Sequence, residues 1–171
     1  MNDSTVTLRV DDPDAMAALG ARIAAEVRAG DVVLLSGELG AGKTTLTRGL
    51  GAALGVRGTV TSPTFVLART HPRVDAPPLV HVDAYRLSGA DELDDLDLAF
   101  DDSIVVIEWG AGLIEHLVDE WLAVIIERPT GASTVAVAHN LDGEPIEPRT
   151  VTIEGVGARW SDLGWLHAAG D

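Results

Sequence analysis

The residues best able to do chemistry lie in one run, Gly37-Glu38-Leu39-Gly40-Ala41-Gly42-Lys43-Thr44. It satisfies G-x-x-x-x-G-K-[ST] at every position, the pattern of a phosphate-binding loop. Glycines let a backbone wrap closely around an anion with its N–H groups pointing inward. A helix starting near Lys43 aims the positive end of its dipole at the same anion. The Lys43 ammonium would reach the β- and γ-phosphates of a nucleotide, and the Thr44 hydroxyl would ligate Mg²⁺. By average residue frequencies, the odds of a chance match in a chain this long are of order one in a hundred. Of 12 basic residues only Lys43 is a lysine, so the sole ammonium side chain sits where this motif requires one.

Mg²⁺-nucleotide chemistry also needs carboxylates near the metal. In open α/β sheets ligands bind at the C-terminal ends of parallel strands. Two apolar runs, Leu79 to Asp83 and Ile104 to Glu108, each end on an acid. Asp83 and Glu108 are therefore the candidate acids, and the residues alone leave open which binds metal and which orients water. The N-K-x-D motif of Ras-type GTPases is impossible with one lysine, and no LSGGQ-like signature is present. The arginines beyond the loop are scattered singly, unlike the lid of a small-molecule kinase. ATP is the better choice of nucleotide.

The elements that must hold these groups follow from pattern. Residues 4–10 alternate like a first strand. Asp12-Pro13 reads as a helix start, with Met16, Leu19, Ile23 and Val27 on one face and Gly30 at the end. Val32 to Leu35 is a strand buried on both faces, and a helix carrying Leu46, Leu50 and Leu54 runs from the loop to Gly55. Between the Asp83 and Glu108 strands, 91–102 holds seven acids, with Leu93, Leu96 and Phe100 at helical spacing. Residues 121–127, 134–139 and 149–154 read as closely spaced strands, an antiparallel edge, with a loop at 142–149 before the last. Trp160, Leu163 and Leu166 suggest a short terminal helix. The expected fold is α/β and P-loop NTPase-like: a central, mostly parallel sheet flanked by helices, with an antiparallel extension toward the C-terminus.

With 171 residues the chain is long enough for a single domain with its own core. Its net charge of −15 speaks against gripping nucleic acid directly, which needs clustered Lys and Arg. The absence of cysteine excludes disulfides, thiolate nucleophiles and Cys-ligated metal centres. No run approaches the roughly 18 to 20 apolar residues of a membrane helix, and the N-terminus lacks a signal-peptide pattern, so a soluble cytoplasmic protein is expected. The five histidines show no helical metal-ligand spacing. His81 shares a strand face with Asp83 and is assigned a supporting or packing role. Tyr85 and Arg86 are open between supporting the Asp83 loop and facing a partner. Trp109 is open between core packing, packing beneath the site and facing a partner.

The runs SGELGAGKTTLTRGL (36–50), SPTF (62–65), HVDAYRL (81–87) and IEWG (107–110), in that order and spacing, resemble the TsaE family over about residues 5–140. The resemblance implies a small bacterial ATPase required for threonylcarbamoyladenosine in tRNAs that read codons starting with adenine. It implies two partners, the transferase TsaD and its non-catalytic paralogue TsaB, with tRNA met only through them and hydrolysis dependent on that pair. It implies ATP and Mg²⁺ as cofactors. Gly37, Leu39, Gly40, Ala41, Gly42, Lys43, Thr44 and Thr45 would hold the nucleotide; Thr44 and Glu108 would ligate Mg²⁺. Asp83 would act with Lys43 in catalysis, polarising the attacking water or holding a metal-bound one. Ser62 and Thr64 would sense the γ-phosphate. Residues 1–155 would form the ATPase domain, and 156–171 an extension with no assigned role.

The sequence departs from the family where Tyr often follows SPTF (here Ala68-Arg69-Thr70-His71), where Gly-Arg often precedes the late hairpin (here Gly131-Ala132-Ser133), and at Gly110, usually Pro. The alternatives are a small-molecule P-loop kinase, which would need an acceptor pocket and a lid, and a nucleotide-dependent binding module that switches without useful hydrolysis.

Overall fold

The computed structural model describes residues 4–61, 67–129, 138–139 and 145–167. Strand β1 (Ser4–Val10) leads into α1 (Pro13–Ala24), and β2 (Val32–Ser36) leads through the glycine loop into α2 (Lys43–Leu54). Next come β3 (Ala68–Arg73), β4 (Ala76–Asp83), α3 (Ala90–Asp94), β5 (Ile104–Glu108) and β6 (Trp121–Glu127). A two-residue pair, β7 (Ala138–His139) with β8 (Pro145–Ile146), precedes β9 (Arg149–Val156).

Seven strands form one sheet in the order β1-β9-β6-β2-β5-β4-β3. The inner strands β6, β2, β5 and β4 are parallel, as expected. Antiparallel pairing is found at both edges: β9 on β6 and β1 on β9 at one, β3 on β4 at the other. Side chains alternate across the pleat. Val33 and Leu35 of β2, with Val106 of β5, face α1 and α2, which supply Met16, Leu19, Ile23, Leu46 and Leu50. Val32, Leu34, Val105 and Ile107 face the opposite cluster with Leu93 and Ile114.

Local chemistry explains the well-read elements. Asp12 Oδ1 accepts from Ala15 N at 2.7 Å, capping α1 with Pro13 in its first turn. Gly55 closes α2 in the left-handed region, at φ 76°. Helices α1 and α2 cross so closely that a Cβ at Gly20 would meet the Leu46 carbonyl oxygen, with Leu50 N at 2.8 Å.

Several elements differ from the sequence reading. Helix α1 ends at Ala24, not Gly30; Val27 is buried from the turn that follows. The acidic run 91–102 is not a continuous helix. α3 stops at Asp94, Asp97 takes a left-handed φ of 50°, and residues 100–102 form a separate 3₁₀ turn. Closely spaced like charges and weak helix formers account for the break. β3 went unread because its sequence, ARTHPR, holds a proline; it lies on the sheet edge with a register shift between His71 and Arg73. Of the strand read at 134–139, only 138–139 is described, and part of the loop after it is β8.

In place of a terminal helix there are two 3₁₀ turns, at 158–160 and 164–166. Trp160, Leu163 and Leu166 bury into the α1/α2-side core. Arg159 donates to both carboxylate oxygens of the buried Asp31, at 3.1 and 2.8 Å, and lies 4.1 Å from the Trp160 ring centre.

Gly20→Ala is expected to destabilise the fold. Overpacking against backbone costs about 1–3 kcal/mol, more than the roughly 1 kcal/mol that alanine gains in a helix. At Gly89 an added Cβ meets nothing within 4 Å, so Gly89→Ala should cost less than Gly20→Ala, at most the roughly 1 kcal/mol by which alanine is the poorer N-cap of α3. Urea unfolding of the two variants checks the difference.

Candidate functional site

The glycine loop joins the end of β2 to the start of α2. Gly40 and Gly42 adopt φ of 80° and 118°, values that side-chain-bearing residues rarely take. Ala41 N donates to Glu38 O at 3.0 Å, closing a tight turn. Gly42 stands at the N-cap of α2 and has no side chain to cap it. The first-turn N–H groups therefore have no partner within the helix and are free to meet an anion.

Lys43 is buried, and its Nζ donates to the carbonyls of Gly37 at 2.6 Å and Glu38 at 3.1 Å. The ammonium also lies 4.7 Å from the Trp109 ring centre. Burial lowers the Lys43 pKa, opposed by the carboxylates of Glu108, Asp83 and Glu38. Thr47 Oγ1 donates to Lys43 O at 2.8 Å, pinning the first turn of α2.

The two candidate acids come from neighbouring parallel strands. Asp83 of β4 pairs in register with Glu108 of β5. Asp83 Oδ1 accepts from Tyr85 N at 3.0 Å, a turn that fixes its carboxylate at the strand end. Glu108 is 4% exposed, and its Oε2 lies 3.1 Å from Nε2 of the fully buried His81. A carboxylate only accepts, so His81 carries the Nε2 proton and holds Glu108 in place. His81 Nδ1 and Nε2 of His71 are buried without partners among the described residues. Burial lowers the His71 pKa, helped by His81 and Arg69, which favours its neutral form.

These groups meet in a cleft of about 240 Å³ lined by Leu39, Gly40, Gly42, Lys43, Thr44, Thr45, Asp83, Glu108 and Trp109. Gly37 and Ala41 sit behind the lining: Gly37 holds Lys43 through its carbonyl, and Ala41 is buried. Ser62 and Thr64 lie outside the described residues, as does the Gly131–Ser133 departure.

Trp109, which the sequence alone does not place, stands at the cleft mouth, 39% exposed, with a left-handed φ of 61°. Its ring meets Tyr85 edge-on, at 5.3 Å and 65° between planes. The next residue has no room for a side chain: a Cβ at Gly110 would come 2.6 Å from Ile107 Cγ2. Arg149, which no local motif marks, donates from β9 to the loop carbonyls of Ala41 and Gly40.

A loop ready for anions, one buried ammonium and two carboxylates facing it across a cleft make a donor set that suits a nucleotide phosphate with a divalent cation. The family model described as "Threonylcarbamoyl adenosine biosynthesis protein TsaE" matches residues 10–135. The chain belongs to the TsaE family. Relatives of that family name include one from Streptomyces coelicolor, 56% identical over 85% of this chain and 94% of its own. Another, from Bacillus subtilis, is 37% identical over 70% of this chain and 76% of its own. The crystal structure of Bacillus subtilis YdiB is similar at a TM-score of 0.66 and 29% identity, covering 92% of this chain and 90% of that one. The TsaE match takes in the glycine loop, both strand-end acids and Trp109. The fold is of the P-loop NTPase kind and consistent with nucleotide binding. No described helix is long and apolar enough to cross a membrane.

His81→Leu is expected to cost about 2–3 kcal/mol, because it leaves the buried Glu108 carboxylate without its hydrogen bond. Glu108→Gln, neutral and still able to accept from His81, should cost less. Urea denaturation at neutral pH ranks them, and an equal loss would refute the hydrogen-bond account.

Proposed function

We propose that this chain is a Mg²⁺-dependent ATPase serving threonylcarbamoyladenosine modification of tRNAs that read codons starting with adenine. One observation carries the reading: Lys43 and Thr44 of the glycine loop share a cleft with Asp83 and Glu108 from adjoining parallel strands. The family membership supports the pathway.

The residues divide the work as follows. The loop N–H groups and the Lys43 ammonium neutralise the β- and γ-phosphate oxygens as charge develops. Thr44 Oγ1 and a Glu108 oxygen would hold Mg²⁺, which would supply electrophilic charge to the phosphates. His81 keeps Glu108 oriented for that task. Asp83, fixed by its turn onto Tyr85 N, accepts a hydrogen bond from water and sets it for in-line attack. Lys43 starts out held by two loop carbonyls and near the Trp109 ring, so it is already placed along the loop.

The reaction depends on partners. We assign TsaD and TsaB that role, in the cytoplasm, with tRNA bound by them. A chain at net −15 carrying a nucleotide is poorly suited to hold RNA, and well suited to dock on basic surfaces. A partner group, such as an arginine, would complete the phosphate charge shell in trans.

The test is phosphate release from ATP by the chain alone and with the TsaD–TsaB pair, with Lys43→Ala as the blank. The expected result is slow release alone, stimulation of about tenfold or more by the pair, and loss of both in the variant. Equal rates with and without partners would overturn partner dependence. ATP binding without stimulation, together with label transfer to a small acceptor, would establish the kinase alternative instead.

A further inference from the structure

Arg149 opens β9, 108 residues from the loop it touches and beyond the 10–135 span of the family match. Its Nε donates to Ala41 O at 3.0 Å and its Nη2 to Gly40 O at 3.4 Å. Nη1 is taken by Glu147, through the main-chain carbonyl at 2.9 Å and the carboxylate at 3.2 Å. Glu147 in turn accepts from Arg128 Nη2 at 3.0 Å, just past the end of β6. The Arg128 guanidinium also comes within 4.0 Å of Glu38 in the loop itself. All three donor atoms of the Arg149 guanidinium are thus engaged, and its side chain is mostly buried.

We infer that Arg149 is a positioning residue, a brace that holds the Ala41–Gly42 peptide of the phosphate-binding loop in an anion-ready orientation, while its weaker contact to Gly40 O steadies the turn closed by Ala41 N on Glu38 O. The reason lies in peptide geometry. In a trans peptide the C=O and the following N–H point in opposite directions. Drawing Ala41 O toward Arg149 turns the Gly42 N–H away from it, and Gly42 lines the cleft. Ala41 lies between Gly40 and Gly42, whose backbones turn freely, so the outside restraint falls on a stretch with little stiffness of its own. The planar guanidinium suits the task. It spans two successive carbonyls while its third nitrogen is anchored, whereas a lysine ammonium is a point donor.

The inference takes the loop as phosphate-binding, as proposed above, and its first readout needs no nucleotide. Amide hydrogen exchange of the ligand-free protein is followed on a peptide covering residues 37–50 and on a reference peptide from β5. In Arg149→Ala, the 37–50 peptide is expected to exchange several-fold faster while the β5 peptide is unchanged. Isothermal titration with Mg²⁺ and a non-hydrolysable ATP analogue should then show a dissociation constant raised about tenfold. Arg149→Lys should fall between the two. Unchanged loop exchange in a folded Arg149→Ala protein would overturn the brace, as would acceleration spread equally over both peptides. If the alanine variant does not fold, Arg149→Lys and Arg149→Gln decide by the same two peptides. A wild-type chain that binds no analogue would sink the ATPase reading, and the exchange comparison would still decide the brace.

Discussion

Three parallel strands, β4, β5 and β2, end at the same edge of the sheet, and the site depends on that shared register. Glu108 sits opposite Asp83 on one side and Leu35 on the other, two residues before the glycine loop begins at Gly37. A strand's side chains alternate, so a slip of one residue would turn Glu108 into the opposite core and Ile107 into the cleft. The apolar residues prevent the slip. Ile104 and Val106 share the Glu108 face and pack on the α1/α2 side, while Val105 and Ile107 fill the other cluster. Core packing is in this way the device that aims the carboxylate.

The same packing makes the charges costly. Lys43 and Glu108 are both buried, and a lone charge in such a place would lose much of its hydration. Each is given substitutes for water. Lys43 has two carbonyls and an aromatic face, and Glu108 has a histidine whose remaining ring nitrogen finds no partner among the described residues. The unsatisfied His81 nitrogen is the cost of supporting a carboxylate from beneath with a core side chain. A buried acid held this way keeps one geometry, which suits a ligand more than a solvated acid free to rotate.

What could be read from sequence divides by the range of the interaction. Strands β2 and β5 were legible because a strand buried on both faces is a continuous apolar run, and α1 because its Asp12 cap and Pro13 are adjacent in sequence. The glycine loop and the helix it opens were legible because the pattern falls within eight consecutive residues. Illegible were the features decided by distant contacts. β3 carries Pro72 and pairs only because an edge strand need not donate along its whole length. The run 91–102 showed helical spacing, but charge repulsion broke the pattern after α3. Trp109 could not be placed, because its position depends on a left-handed backbone, φ 61°, that a residue with a side chain rarely adopts.

Arg149 marks the far end of that scale. Nothing about an arginine after Glu147-Pro148 suggests a glycine loop a hundred residues earlier, and only the order of strands brings them together. β9 lies two places from β2, with β6 between, and Arg149 begins β9 where it passes the loop. In a chain with a single lysine and a net charge of −15, an anion site must concentrate the few cations it has. Lys43 works from inside the loop, while Arg149 and Arg128 hold it from outside, with Glu147 between them neutralising part of their charge. Oriented dipoles can then do much of what added cations do elsewhere. The backbone N–H groups are dipoles with no net charge, so they favour an anion in the cleft without reducing the acidity of the outer surface.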